Sequence, residues 1–320
     1  MKRPTILLTD SDLGDRSLEA GWLRDELDAE VVIANCRTPE EVVAAVREHR
    51  PHAIITQWAP VNAEAIEAAR DSCRVISRLG IGIDMVDLAA AAAAGIPVRN
   101  VPHYCTEEVA SHAVALALAL WRRLPQLDAQ VRSGGWNAAA HAGDIGRLSS
   151  ATVGLIGCGR IGLLVARAFE ALGSKIVVVD PAPANDGYER VSLRELADRA
   201  DIISLHAPLT ESTRHIVDEA FLMSLSRRPV LVNTSRGPLI DVPAAVRAVE
   251  QGRLRGLGLD VFEVEPLPAD DPVRSARNTL LAPHAAWCST EALPDLRRGA
   301  VQNAIDVLSR ARNEEGRRNE

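Results

Sequence analysis

Residues 151–180 run from a short apolar stretch, ATVGLIG, into a glycine-rich turn and the helical pattern LLVARAFEAL. They then enter a second apolar stretch, KIVVVD, that ends at Asp180. Few folds accommodate a buried strand, a glycine turn, a helix and another buried strand in that order. The turn itself is Gly157-Cys158-Gly159-Arg160-Ile161-Gly162, a G-x-G-x-x-G match. In this setting the first glycine permits the tight turn, the second lets the backbone approach a pyrophosphate, and the third lets helix and strand pack closely. The amino terminus of the helix, at Arg160 and Ile161, presents N–H groups and a partial positive charge to an anion. Asp180, about 20 residues on, stands where a carboxylate accepts hydrogen bonds from adenosine ribose hydroxyls. Its charge repels a 2′-phosphate and Pro181 follows it in place of an arginine, so NAD is expected over NADP. The same glycines would also serve a βα turn that binds nothing; the flanking strands and helix favour the cofactor.

The alternation continues on both sides. Segments 5–10, 31–35, 53–56, 74–80 and 97–101 read as strands, with helical spacing at 38–49 and 61–70 between them. From residue 107 to 124 an Ala- and Leu-rich helix is apolar around much of its circumference and must be buried, between domains or against another subunit. A second series of strands follows at 151–157, 175–180, 201–208, 229–235, 255–262 and 279–284. These runs are continuously apolar, as parallel strands covered on both faces are. The fold class expected is therefore α/β, with two doubly wound parallel sheets. The remainder, from about Trp287, reads as one or two helices and a frayed polar tail, NEEGRRNE.

A chain of 320 residues suits two domains at roughly 150 residues each. The net charge of −7 argues against nucleic-acid binding through a global basic field, and leaves a small anionic partner open. Five scattered cysteines show neither disulfide nor zinc spacing, so reduced thiols and no metal site are expected. No apolar stretch reaches the roughly 18 residues of a membrane span, and the amino terminus reads as a strand rather than a signal peptide. A cytoplasmic location is the expectation.

Oxidising a 2-hydroxy acid with NAD requires a base for the hydroxyl proton, a cation for the carboxylate, and a group that tunes the base. Arg236 in NTSRGPLID, Glu265 in GLDVFEVEP and His284 in LAPHAAW form such a set. Histidine exchanges protons near neutrality, a glutamate beside it favours the imidazolium, and arginine offers a planar fork to a carboxylate. Singly, each also fits an ordinary structural place: a surface arginine, a loop acid, a core histidine. What joins them is that Arg236 and His284 directly follow strands of the sheet opened by the glycine motif, at whose carboxyl ends ligands bind.

From about Arg74 to Arg298 the chain resembles the D-isomer-specific 2-hydroxyacid dehydrogenases. The similarity is nearest to the branch that includes the C-terminal-binding protein corepressors. SRLGIGIDMVDL, NVPHYCTEEVASHAVALAL, TVGLIGCGRIG, HAPLT, LVNTSRGPLID, GRLRGLGLDVFEVEP and APHAAW carry the resemblance, in that order. It implies that Arg236, Glu265 and His284 are catalytic. It implies that Asp260 helps to position the nicotinamide carboxamide, and that Thr106, His206, Ala207, Pro208, Thr234, Ser235 and His284 line the cofactor. It places Arg78, Gly80, Ile81 and Gly82 against the substrate carboxylate, although the residues alone read as a strand and tight turn. Trp287 stands where that branch has a pocket tryptophan, or is an inter-domain core residue. The implied architecture inserts a Rossmann-type NAD domain, 102–285, into a flavodoxin-like substrate domain of 1–101 and 286–320. The long helix would then form much of a homodimer interface.

The chain departs from the family pattern at Ser224 to Pro229, where a different turn precedes LVN, and at Met85, in place of an asparagine. His141 lies in the segment 135–150, which carries extra small residues, and reads as a solvated loop histidine rather than one that reaches a substrate; Trp58 either narrows the pocket or caps a strand. Two further functions stay open from sequence. One is oxidation of a phosphonate- or phosphinate-bearing alcohol, whose anion the same arginine and backbone amides would hold. The other is an NAD-sensing scaffold like the corepressors.

Overall fold

Apolar runs bounded by capping residues become parallel strands and crossover helices in the computed structural model of the chain, which describes residues 3–141, 143–182 and 187–318. The chain divides into two compact units, Met1–Tyr104 with Ser289–Glu320, and Cys105–Cys288.

In the first unit β1 (Thr5–Leu8), α1 (Ser17–Leu27), β2 (Glu30–Ile33), α2 (Pro39–His49), β3 (Ala53–Thr56), α3 (Ala63–Ala69), β4 (Val75–Arg78), α4 (Leu88–Ala93) and β5 (Val98–Arg99) alternate. The strands pair in parallel in the order β2-β1-β3-β4-β5, the flavodoxin-like arrangement that reverses between β1 and β3. Helix starts follow from local chemistry. Thr38 caps α2 in a reciprocal box with Glu41, and Asn62 and Asp87 cap α3 and α4. β3 and β4 are wholly buried, and Ile54 and Ile76 pack with Val42, Val46 and Ile66.

The second unit contains α5 (Thr106–Trp121), α6 (Leu124–Arg132), β6 (Thr152–Ile156), α7 (Arg160–Ala171), β7 (Lys175–Val179), β8 (Glu189–Arg190), α8 (Leu193–Arg199), β9 (Ile202–Leu205), α9 (Glu219–Met223), β10 (Val230–Asn233), α10 (Val242–Glu250), β11 (Gly256–Leu259) and β12 (Thr279–Leu281). All its strands are parallel, in the order β12-β11-β10-β9-β6-β7-β8. This is the Rossmann arrangement with one strand added, and its reversal falls at β6. The helix expected to be buried lies on this sheet. Ala110, Ala113, Ala117, Leu120 and Trp121 of α5 share a core with Val153, Val230 and Val232. Glycines in β11 admit it: a Cβ on Gly256 would stand 3.0 Å from Leu120 Cδ2, and one on Gly258 3.3 Å from Leu116 Cβ.

The chain then returns to the first unit as α11 (Ala292–Arg318). Leu296, Ala300, Val301, Ala304, Ile305 and Leu308 recur at helical spacing and are buried. Ser77 Oγ in β4 donates to the Ala300 carbonyl at 2.8 Å. A Cβ on Gly299 would lie 2.6 Å from Val101 Cγ1. The tail expected to fray from Asn313 onward is helical as far as Arg318. Among the described residues no helix is long and apolar enough to cross a membrane.

Candidate active site

At the carboxyl end of β6 the glycine turn is built as the motif requires. Gly157 has φ +93°, and a Cβ on it would lie 2.7 Å from the Ala207 nitrogen and the His206 carbonyl. A Cβ on Gly162 would lie 2.5 Å from the Gly157 oxygen, so α7 and the turn are in backbone contact. Gly159 instead faces open space, with no other atom within 4 Å of where its Cβ would be. Beside it the first turn of α7, from Arg160 and Ile161, has amides that the helix itself cannot satisfy. Asp180 accepts from Cys158 N at 2.7 Å and from Ala182 N at 2.8 Å. It therefore holds the glycine turn in place, a role not read from sequence, and its oxygens retain acceptor capacity for ribose hydroxyls.

Two buried polar atoms by this turn have no hydrogen-bond partner among the described residues: His206 Nδ1 and Thr234 Oγ1. Native structures rarely leave such groups unmatched, and a bound dinucleotide fits the site. His206 Nε2 and Ser204 Oγ are 2.9 Å apart, and burial pushes the His206 imidazole down to about 4. Ala207 and Pro208 follow β9, Thr106 opens α5, and Ser235 Oγ donates to the Leu205 carbonyl at 2.8 Å.

The second unit brings Arg236, Glu265 and His284 together. His284 Nδ1 lies 2.7 Å from Glu265 Oε2, and Phe262 N donates to Glu265 Oε1 at 2.8 Å. Burial pushes the Glu265 carboxyl up. The hydrogen bond and charge of His284, the Phe262 amide and the Arg236 charge outweigh that push and leave it below the ordinary glutamate value. Arg236 begins a tight turn after β10, in which Asn233 Nδ2 donates to the Arg236 carbonyl at 2.8 Å. Gly237 makes the closeness possible, since a Cβ there would fall 1.9 Å from the Phe262 carbonyl carbon. Neither Asn233 nor Gly237 was singled out from sequence. The signal was a glycine beside Pro238 directly after a catalytic candidate.

His284 has φ +53°, an uncommon conformation for a side-chain-bearing residue. Asp260 imposes it. Its carbonyl accepts from His284 N at 2.7 Å, and its carboxylate accepts from Ala285 N at 2.8 Å and Ala286 N at 3.0 Å. Trp287, half-buried, follows this turn.

The remaining predicted residues lie in the first unit. Arg78, 4% exposed, ends β4 with its guanidinium 5.1 Å from the centre of the Trp58 ring. Gly80 has φ +145°, and a Cβ on it would overlap the Arg78 guanidinium, 1.0 Å from Nη1. The carbonyls of Gly80 and Ile81 are held by Val101 N and Asn100 Nδ2, which leads the loop into Gly82. Trp58 is more than a strand cap. Its indole N–H donates to Asp12 at 3.1 Å, and its backbone amide donates to the buried Asp10 at 2.7 Å. Asp10 also receives Gln57 N at 3.0 Å, an anchoring role that sequence reading missed. Met85 packs against the first unit's core, and the Ser224 to Pro229 turn is fixed by Ser226 to Asp198 at 2.6 Å. The side chain of His141 lies outside the described residues.

Known proteins share this sequence and architecture. The family model described as D-isomer specific 2-hydroxyacid dehydrogenase, NAD binding domain, matches residues 114–286. A glyoxylate reductase of Korarchaeum cryptofilum is 40% identical over 257 residues, covering 77% of this chain and 76% of that protein. A D-3-phosphoglycerate dehydrogenase of Mycobacterium tuberculosis is 35% identical over 297 residues; the match covers 91% of this chain but 54% of that longer protein. The crystal structure of a D-lactate dehydrogenase from Aquifex aeolicus, complexed with NAD and lactic acid, superposes with a TM-score of 0.83 at 26% identity. It covers 97% of this chain and 96% of that one. These relatives support the family and not the narrower corepressor branch. The chain belongs to the D-isomer-specific 2-hydroxyacid dehydrogenases, NAD-dependent oxidoreductases that transfer hydride between nicotinamide and the 2-carbon of 2-hydroxy and 2-keto acids.

Proposed function

We propose that the protein interconverts a small 2-keto acid of the glyoxylate class and its 2-hydroxy acid, with His284 as acid and base, Glu265 tuning it and Arg236 holding the carboxylate. The observation that carries this reading is the His284–Glu265 pair at 2.7 Å, with Glu265 anchored on a backbone amide. NAD(H), when bound by Gly157, Gly159, Arg160, Ile161, Gly162, Asp180, Thr106, Thr234, Ser235 and the 206–208 segment, supplies or accepts the hydride. With Nδ1 engaged by Glu265, Nε2 of His284 carries the proton given to the substrate oxygen on reduction and recovered from the hydroxyl on oxidation. Arg236 supplies a cation matched to a carboxylate, and its charge polarises the carbonyl. Arg78, Gly80, Ile81 and Gly82 supply further donors to the acid, and Trp287 shapes the pocket.

NADH oxidation with a panel of 2-keto acids, glyoxylate and phosphonopyruvate included, tests the substrate class, with NADPH run in parallel. Turnover of small keto acids with NADH is expected, and His284→Ala should abolish it while NADH still binds. Turnover of phosphonopyruvate alone would move the assignment to the phosphonate class. Parental turnover in His284→Ala would remove histidine from its role. We also propose that the protein is a homodimer and acts in the cytoplasm, a location that suits its five free cysteines.

A further inference from the structure

His112, its side chain 29% exposed, sits on the stretch of α5 that also bears the buried Val109, Ala110 and Ala113. A histidine there loses solvation unless something compensates it. Its Nε2 is buried, has no hydrogen-bond partner among the described residues, and lies 3.7 Å from Asp260 Oδ1. That separation is an ion-pair distance, longer than a hydrogen bond. Asp260 is 1% exposed, and His112 is the basic side chain within ion-pair distance of it among the described residues. The same carboxylate grips Ala285 N and Ala286 N, and the Asp260 carbonyl grips His284 N. Three consecutive amides of the turn bearing the left-handed His284 therefore depend on one buried acid.

We propose that His112 is a positioning residue for His284: from α5 it braces the Asp260 carboxylate, and through Asp260 it fixes the turn that aims the base. This rests on the reading of His284 as acid and base. A buried carboxylate facing only two amides could rotate away from them, whereas an imidazole on its other side holds its plane and its charge. The turn is then held from both β11 and α5.

Side-chain 15N–1H spectra of the histidines, with the His284 signal identified by its loss in His284→Ala, test the brace directly. His112→Ala should shift and broaden the His284 signal. It should also lower kcat by about tenfold or more, because small misplacements of a reacting group are costly. The keto-acid KM and the NADH Kd should change by less than about threefold. His112→Gln, which keeps an N–H toward Asp260 but carries no charge, should recover only part of kcat. A His112→Ala/Asp260→Asn double variant should be no slower than Asp260→Asn alone. An unaltered His284 signal in both His112 variants would overturn the proposal, as would a loss confined to NADH affinity. The two readings fail separately. Parental turnover in His284→Ala refutes the acid/base role, while the His284 signal still decides whether His112 braces the turn.

Discussion

Glu265 serves two donors at once, the Phe262 amide and the His284 ring, and that double engagement keeps it ionised. Because its folded pKa lies below the ordinary 4.5, the stability it contributes is complete above that value and is lost as pH falls through the lowered one. Glu265→Gln should cost about a hundredfold in turnover, the lower range of acid–base catalysis, with NADH affinity retained. Its stability deficit against the parent, read by urea denaturation, should narrow once the pH drops below the carboxylate range. His206 gives a second pH dependence with the same sign. Burial lowers it from 6.5 to about 4, so the unfolded chain takes up a proton that the folded one refuses. Stability should be full above pH 6.5 and decline from there toward about 4, and His206→Asn should flatten that part of the profile.

Between elements of the first unit, Arg297 of α11 meets Glu19 of α1 at 2.6 and 2.5 Å. Glu19 is 2% exposed, so Arg297→Ala strands a buried carboxylate and should cost about 3–5 kcal/mol in chemical denaturation. Replacing both residues with leucine should recover much of that loss; an equally unstable double variant would argue that packing matters more than charge. The elements of this molecule differ in how well the sequence announces them. Buried parallel strands declare themselves as apolar runs, and the Rossmann turn declares itself by its glycines. β8, two residues long, has no periodicity to read, and α6, whose Leu124, Leu127 and Val131 recur at helical spacing, buries none of its residues. Arg236 and His284 could be placed on the sheet because they follow strands. The contacts that hold them could not be read: Gly237 and Asp260 act through backbone groups at least 20 residues away along the chain, as Asp10 does for Trp58 in the first unit, and no local pattern encodes this.

At the scale of the whole molecule, α6 and the segment after it leave Leu124 53%, Val131 54% and Trp136 89% exposed in the second unit. Under the homodimer proposal, these side chains are the candidates for its contact surface. Sedimentation should therefore give twice the 34.4 kDa chain mass. Trp136→Asp with Val131→Asp should shift the equilibrium toward monomer; an unchanged mass would place the interface elsewhere. The order of synthesis adds a further consequence. A ribosome makes the strands of the first unit, then the entire second unit, and only after that, from Ala292, the helix that packs on β3 and β4. The first unit is thus begun before the second and completed after it. While the second unit is being made, the first unit's sheet lacks the helix that packs on β3 and β4, and an apolar face left open in that way is the kind of surface that chaperones hold.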